Sequence, residues 1–241
     1  MRLPRLSLLV LLALLAAAGL DACRSAELAV DPTLAGSTAP LAVAGANPRS
    51  WRTPISFGAY RTSAVDVGAT RSWLVEALGL GVGEARQPYA VTLETPSGPF
   101  RVECVNRQLE AYVRGFFVEL TGRRNPVLLC GVRAASGDGW ALSLSTAAPV
   151  GYAGAFAPVA GASGERLEVV SIHSFAGTPI SSPDPVGWQI GRASAVLAAV
   201  ESINAGRVWL APTLEAGERD RLAALAAALL LFDPAASDLD P

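Results

Sequence analysis

The sequence predicts a mainly β (α+β) fold, an antiparallel β-barrel or sandwich of about ten to twelve strands with a hydrophobic C-terminal helix. Three observations carry that expectation. From Trp51 onward, short apolar segments alternate with Gly- and Pro-rich turn signals, the pattern of an antiparallel all-β domain. Near the C-terminus the run LAALAAALLLF, Leu222 to Phe232, holds eleven apolar residues before Asp233 and Pro234 stop it. The chain has 241 residues, 51% hydrophobic and 17% charged, which is enough apolar material for one core of ordinary domain size.

The elements follow in order from the N-terminus. MRLPR carries two arginines and precedes the apolar run LSLLVLLALLAAAGL, the charged-then-apolar order of a secretory signal peptide over residues 1–22. The arginines are separated and not a twin pair, so the general secretory route is expected. Leu20, Asp21, Ala22 and Cys23 then resemble the lipobox of bacterial lipoproteins, with leucine three residues before the cysteine and a small residue directly before it. Asp21 departs from that pattern, because small uncharged residues are usual there. The resemblance implies that the Cys23 thiol receives a diacylglyceryl group, with fatty acyl chains such as palmitate, and becomes the first mature residue. Arg24 is not the aspartate that holds many enterobacterial lipoproteins at the inner membrane, so the resemblance implies the outer membrane, facing the periplasm. Ordinary cleavage near Ala18 or Ala22 would instead leave Cys23 a plain thiol.

Residues 23–50 are rich in Ala, Pro, Gly, Ser and Thr with poor periodicity, and read as a lipidated tether. The globular domain is expected over 51–234, followed by a tail, 235–241. Its strand segments are 53–62, 71–78, 89–96, 100–106, 114–122, 125–133, 139–145, 150–157, 166–175, 186–192 and 206–211. Val91 and Leu93 alternate in facing with Thr92 and Glu94, as in a half-buried strand. Breaks fall at Pro96 to Pro99, Gly122 to Pro126, Gly137 to Gly139 and Ser181 to Pro185. Segment 193–203 is alanine-rich, which favours helix, yet Val196, Ala198 and Val200 alternate and Asn204 to Gly206 would close a hairpin, so it is read as strand.

The last element is a helix over 214–232. Pro212 ends the preceding strand, Thr213 offers a cap, Glu215 and Glu218 suit the positive end, and Asp233 with Pro234 stops it. The run falls short of the roughly twenty residues a membrane span needs, and a helix with no polar face must be surrounded. Its length, about 17 Å at 1.5 Å per residue, is comparable to the height of a small barrel. Many strands followed by one wholly apolar C-terminal helix resemble the tubby-like barrel, including its scramblase and LURP-one-related branches, over roughly residues 52–232. The resemblance rests on element order and implies a closed barrel around the helix; it carries no binding residues across. A sandwich with the helix on one sheet face satisfies the same pattern.

Cysteine usage bears on the compartment. Three cysteines are an odd number for an exported chain, and acylation of Cys23 removes one. Cys104 and Cys130, in FRVECVNRQ and PVLLCGVRA, are then expected to form a disulfide in an oxidising periplasm, although two reduced core thiols remain an alternative. There is one histidine and no CxxC or HExxH spacing, so no metal and no cofactor is expected. The chain contains no lysine, the mark of a GC-rich bacterial genome, which removes Schiff-base and P-loop chemistry. Nineteen arginines against twenty-one acidic residues give a formal charge of -2 and no field for nucleic acid.

A serine hydrolase would have to use His173, in VVSIHSF, with Ser171 or Ser174 beside it and Asp184 ten residues on, but no GxSxG elbow accompanies it. Glu94, Glu103, Glu110 and Glu119 are scattered over separate segments and read as solvated strand faces. Arg123 and Arg124 cover a turn or meet an anionic headgroup. The expectation is a membrane-anchored periplasmic lipoprotein, a non-catalytic binding or assembly module leaning away from enzyme. Its partners are the membrane, through the lipid, and a protein of the cell envelope. The alternatives are a periplasmic hydrolase using His173 and a carrier of an apolar ligand inside a barrel.

Overall fold

A computed structural model describes residues 26–45, 53–77, 80–113, 116–119, 126–147, 151–159 and 164–232. Among the described residues, helix α1 (Pro32–Ser37) precedes β1 (Leu41–Ala44), β2 (Ser56–Phe57), β3 (Tyr60–Thr62), β4 (Asp66–Val67) and β5 (Arg71–Ala77). Two long strands follow, β6 (Leu80–Glu94) and β7 (Phe100–Val113), then β8 (Phe116–Glu119), β9 (Pro126–Ala134) and β10 (Gly139–Thr146). The chain continues through β11 (Tyr152–Pro158), β12 (Leu167–Ile172), β13 (Gly187–Arg192), β14 (Ala195–Glu201) and β15 (Arg207–Leu210) to helix α2 (Ala216–Leu230).

Every pairing is antiparallel, and the sheet closes. In order around it run β6, β3, β2, β1, β15, β14, β13, β12, β11, β10, β9 and β7, and β7 pairs back onto β6. These described strands form a barrel of twelve. Closure depends on β6 using both its edges: Phe100 to Val113 of β7 lie along one, and Arg61 and Thr62 of β3 face Glu94 and Leu93 on the other. The alternation read from the sequence holds around the ring. Val91, Leu93, Val102, Leu128, Leu142, Leu144, Phe156, Val169 and Ile190 are all inward and at most 1% exposed. Arg61, Glu94, Arg101, Glu103, Arg133 and Glu168 are exposed on the outer wall, the reverse of a barrel whose outside faces lipid.

Helix α2 fills the lumen. Leu222 to Leu229 are all 0% exposed, and the helix packs on β14 and β15 on one side of the ring and on β7 and β9 on the other. Burying Leu222, Leu225 and Leu229 stabilises the fold by roughly 1.5–3 kcal/mol each. Tyr89 reaches in from β6 and donates its hydroxyl proton to the Ala228 carbonyl at 2.9 Å, satisfying one of the last carbonyls, which have no partner inside the helix. Burial holds that phenol protonated, with its pKa above the usual tyrosine value. At the other end Asp220, 2% exposed, accepts from the Ser97 backbone N–H and the Thr95 hydroxyl, both at 3.0 Å, and from the Ser97 hydroxyl. The helix is thus tied at both ends to the same strand pair.

The structure differs from the sequence reading at several points, β4 and the run of β7 beyond residue 106 among them. The segment expected as tether, 23–50, contributes α1 and the barrel strand β1, so the folded unit begins well before Trp51. Asp31 caps α1 by accepting from the N–H groups of Thr33 and Leu34, Pro32 sits where its missing N–H is harmless, and Leu34 is buried. Segment 53–62 is two short strands turned at Gly58, not one. β6 starts nine residues before Tyr89, through a stretch whose Gly81 and Gly83 concealed it. Thr213 does not cap α2: Glu215 occupies that position without a side-chain bond, and Leu231 and Phe232 lie beyond the helix.

Outside the ring, β5 pairs with β6 and β8 with β7, so 71–77, 80–86, 107–113 and 116–119 make a four-stranded antiparallel extension. Tyr89 lies beside the last turn of α2, and from there to Leu80 the nine residues of β6 run on for about 30 Å at 3.3 Å each. The extension therefore leaves the barrel at the mouth where α2 ends.

Candidate functional site

The barrel has two mouths of different chemistry. At the entry mouth, where α2 begins, a cleft of about 610 Å³ lies between the 97–100 turn, Trp140, Gly164, Arg192 and the first turn of α2. Arg221 lays its guanidinium over the Trp140 ring, 4.7 Å from the centroid, and Trp140 packs on Phe100 with centroids 6.4 Å apart. Gly164 lets the backbone approach: a Cβ there would stand 3.0 Å from the guanidinium. Arg192 pairs with Glu218 and with Glu165, and Arg221 Nη2 is 3.7 Å from Glu218. The Nε groups of both arginines are buried without an aligned acceptor among the described residues, although Arg192 Nε lies 2.7 Å from a Glu165 oxygen. Burial lowers the Arg221 pKa below the usual guanidinium value. Beside the cleft, burial and the neighbouring Asp220 push the Tyr60 phenol up to about 12. The cleft carries Asp138, Glu165, Glu215 and Glu218 against two arginines, so it disfavours phosphate and suits a basic or hydrogen-bonding segment.

The exit mouth is aromatic. Trp188, Tyr152 and Phe232 form a cluster with centroids 5.7–6.0 Å apart, which closes the lumen below α2. At its edge stand Ser171 and His173. His173 Nε2 is 2.9 Å from Ser171 Oγ and Nδ1 is 3.1 Å from the Ser182 carbonyl oxygen. With the proton on Nδ1, the ring donates to that carbonyl and accepts from the serine. Ser171 Oγ also accepts the Tyr152 N–H at 2.8 Å. Gly151, at φ +130, is needed here, because a Cβ would lie 2.7 Å from Ser171 Oγ and 2.9 Å from Nε2. Asp184 is not the acceptor of His173; its own N–H bonds the Ser182 hydroxyl.

The other sequence-flagged residues fall as follows. Cys104 and Cys130 lie directly opposite each other on β7 and β9, both buried, and form a disulfide with Cα atoms 4.0 Å apart. Cys23, Arg123 and Arg124 lie outside the described residues. Glu94 and Glu103 stand exposed on the outer wall, and Glu110 and Glu119 are paired in register across β7 and β8. No group of three or more His, Cys, Asp or Glu able to hold a metal occurs among the described residues. The sequence reading missed the Trp140, Arg192 and Arg221 grouping, and no spacing could have revealed it: the three residues come from β10, β13 and α2. Comparison of the chain with protein-family models, curated proteins and solved structures gives no match.

Proposed function

We propose that the chain is a lipid-anchored protein of the bacterial cell envelope whose barrel serves as a binding or assembly module and not as a catalyst. The observation that carries this is the occupied lumen. A barrel filled by Leu222 to Leu229 keeps no interior for an apolar cargo, which weighs against the carrier reading, and it leaves the entry cleft as the place for a partner. The LDAC sequence at residues 20–23 supports the anchor, and a ring of twelve strands around an apolar C-terminal helix supports the tubby-like resemblance at the level of element order. Metabolic labelling with a fatty-acid analogue tests the anchor: the wild type takes the label, and Cys23→Ser does not and moves to the soluble periplasmic fraction. Equal labelling of both rejects it. In the same cells a photo-crosslinking residue at Ser136, on the cleft lip, is expected to give one discrete protein adduct that Arg221→Ala abolishes; no adduct removes the cleft as a docking site.

A second reading keeps one observation of its own, the 2.9 Å contact between Ser171 and His173. A hydrolase built on it would have a carbonyl, not a carboxylate, orienting the imidazole, and a serine already engaged by the Tyr152 N–H. Any hydrolytic activity that survives His173→Ala eliminates it.

A further inference from the structure

We infer that the loop between β12 and β13, from Ala176 to Ser182, is a lipid contact that rests in the headgroup region beside the acyl chains of Cys23; this rests on the reading that Cys23 carries those chains. The chain is pinned to the barrel almost from the anchor onward. The Ala26 carbonyl accepts from Asn204 Nδ2 at 2.8 Å, and Glu27 Oε1 lies 3.6 Å from Arg207 Nη1, whose guanidinium also binds the buried Glu201 carboxylate. Leu28 is buried against Gly187, where a Cβ would stand 2.7 Å from it. The Ala176 N–H donates to the Glu27 carbonyl at 2.8 Å and the Ala29 N–H to the Ser174 carbonyl at 3.1 Å, around the antiparallel bridge of Leu28 with Phe175. These contacts lie at the exit mouth, because the turn that holds Asn204 abuts the end of α2: a Cβ on Gly206 would lie 3.2 Å from Leu230.

That pairing fixes where the loop goes. Residues 27–29 and 174–176 run antiparallel, so the chain traced back from Glu27 leaves the pairing in the same direction as the chain traced forward from Ala176. Cys23 is four residues before Glu27 and Ile180 four residues beyond Ala176, so each lies within about 14 Å of the paired point. Ser174 and Ser181 bridge, which folds 175–180 into a short hairpin. A surface that holds Cys23 is therefore within reach of this hairpin, and the composition of the hairpin suits lipid. Ala176 to Ser182, AGTPISS, carries no charge, and Ala176, Gly177, Pro179 and Ile180 are exposed. Ile180, at 65%, is the most exposed of the large hydrophobic side chains that face water among the described residues. Its N–H donates to the Thr178 hydroxyl at 3.1 Å and the Ser182 N–H to the His173 carbonyl at 2.7 Å, so the hairpin carries part of its own hydrogen bonding into a zone where water is scarce. Asp184, the nearest acid in the loop, follows beyond the bridge. With no cation in the hairpin, the contact is apolar and does not select anionic lipid. A second contact beside an acyl anchor stabilises the attachment and holds the exit mouth at the bilayer.

The test uses the full lipidated chain in vesicles of phosphatidylethanolamine with and without phosphatidylglycerol. With Cys23 acylated and Cys104 joined to Cys130, Ile180→Cys supplies one free thiol for a fluorophore. Lipid bearing a nitroxide near its headgroup is expected to quench that label roughly threefold more than the same label on Ser136→Cys, at the lip of the entry cleft, and equally in both kinds of vesicle. Equal quenching at the two positions, or quenching that appears only with phosphatidylglycerol, overturns the inference. Ile180→Asp, a change on an exposed side chain, is expected to cut the quenching of a label on Ala176→Cys roughly threefold while the melting temperature stays the same; unchanged quenching there also overturns it. Fatty-acid labelling of the same chain separates the two failures. No label on Cys23 rejects the anchor and the loop contact with it, whereas label without quenching rejects the loop contact alone.

Discussion

The barrel and its extension are built from the same two strands, β6 and β7, yet their apolar residues fall on opposite parities. In the barrel the apolar positions point to the helix: Tyr89, Val91 and Leu93 on β6, Phe100, Val102 and Cys104 on β7. In the extension the apolar positions have the other parity: Leu80 and Val82 on β6, Leu109, Ala111 and Val113 on β7. The register between the strands runs unbroken from Leu93 and Phe100 to Leu80 and Val113, so no slip explains the change. The sequence itself switches sides, and the switch falls where Glu84 meets Arg86 and Arg107. A period-two pattern identifies a strand, but the side it favours depends on what lies across it. Inside the ring that is α2.

The largest expected effect breaks the comparison at the helix. Leu225→Glu puts an unpaired charge where all neighbours are apolar, at several kcal/mol, which approaches the whole stability of a domain. The folded, protease-resistant domain is expected to be lost. Val82→Asp, a like change on the extension, is expected to leave the melting temperature of the barrel nearly unchanged. Equal losses from the two, by thermal melting, would show that the extension is part of the core. Next comes the disulfide. Removing the Cys104–Cys130 link across 26 residues is expected to destabilise the barrel by about 3.5 kcal/mol on the chain-entropy model. Denaturant titration of Cys104→Ala with Cys130→Ala measures this, and thiol counting on the denatured, unreduced domain should find neither cysteine free.

The smallest effect lies at the switch itself. Hydrogen bonds from Arg86 above all, and from Arg107, hold the Glu84 carboxyl down at about 2, below its ordinary value near 4.5. A carboxyl whose folded pKa is depressed stabilises the fold fully above its unfolded pKa and loses that contribution as pH falls towards the folded one. The extension is therefore expected to loosen between about pH 4.5 and 2, seen as faster amide exchange in β5 to β8 before the barrel strands respond. Glu84→Gln should abolish that pH dependence, and its persistence in Glu84→Gln would assign it to another group.

Legibility in the sequence followed locality. Strands such as 139–145 and 186–192 and the apolar helix were readable because their signals lie within a few residues. The disulfide was readable from compartment and number, and register then explained it, since Cys104 and Cys130 face each other. Closure was not readable, because it turns on two residues of β3, Arg61 and Thr62, finding the free edge of β6. β1 was hidden for a related reason: four residues, only Val43 of them buried, carry too little pattern to stand out in an Ala- and Pro-rich stretch. The entry cleft was invisible altogether, since an arginine stacked on a tryptophan from another strand leaves no local trace.

One consequence of the closed ring concerns time. Leu41, near the start of the folded unit, takes as its neighbour Val208, near its end, and the helix that fills the lumen follows directly after β15. A chain synthesised or threaded N-terminus first has made all but one of its staves before the last stave and the centre exist. Until then the inward rows of β6 to β14 have nothing to close on, and pairings of such long sequence separation form slowly. The barrel cannot ripen segment by segment; it assembles once, after the final residues of α2 have been delivered, which places the greatest risk of aggregation in the moments just before its end arrives.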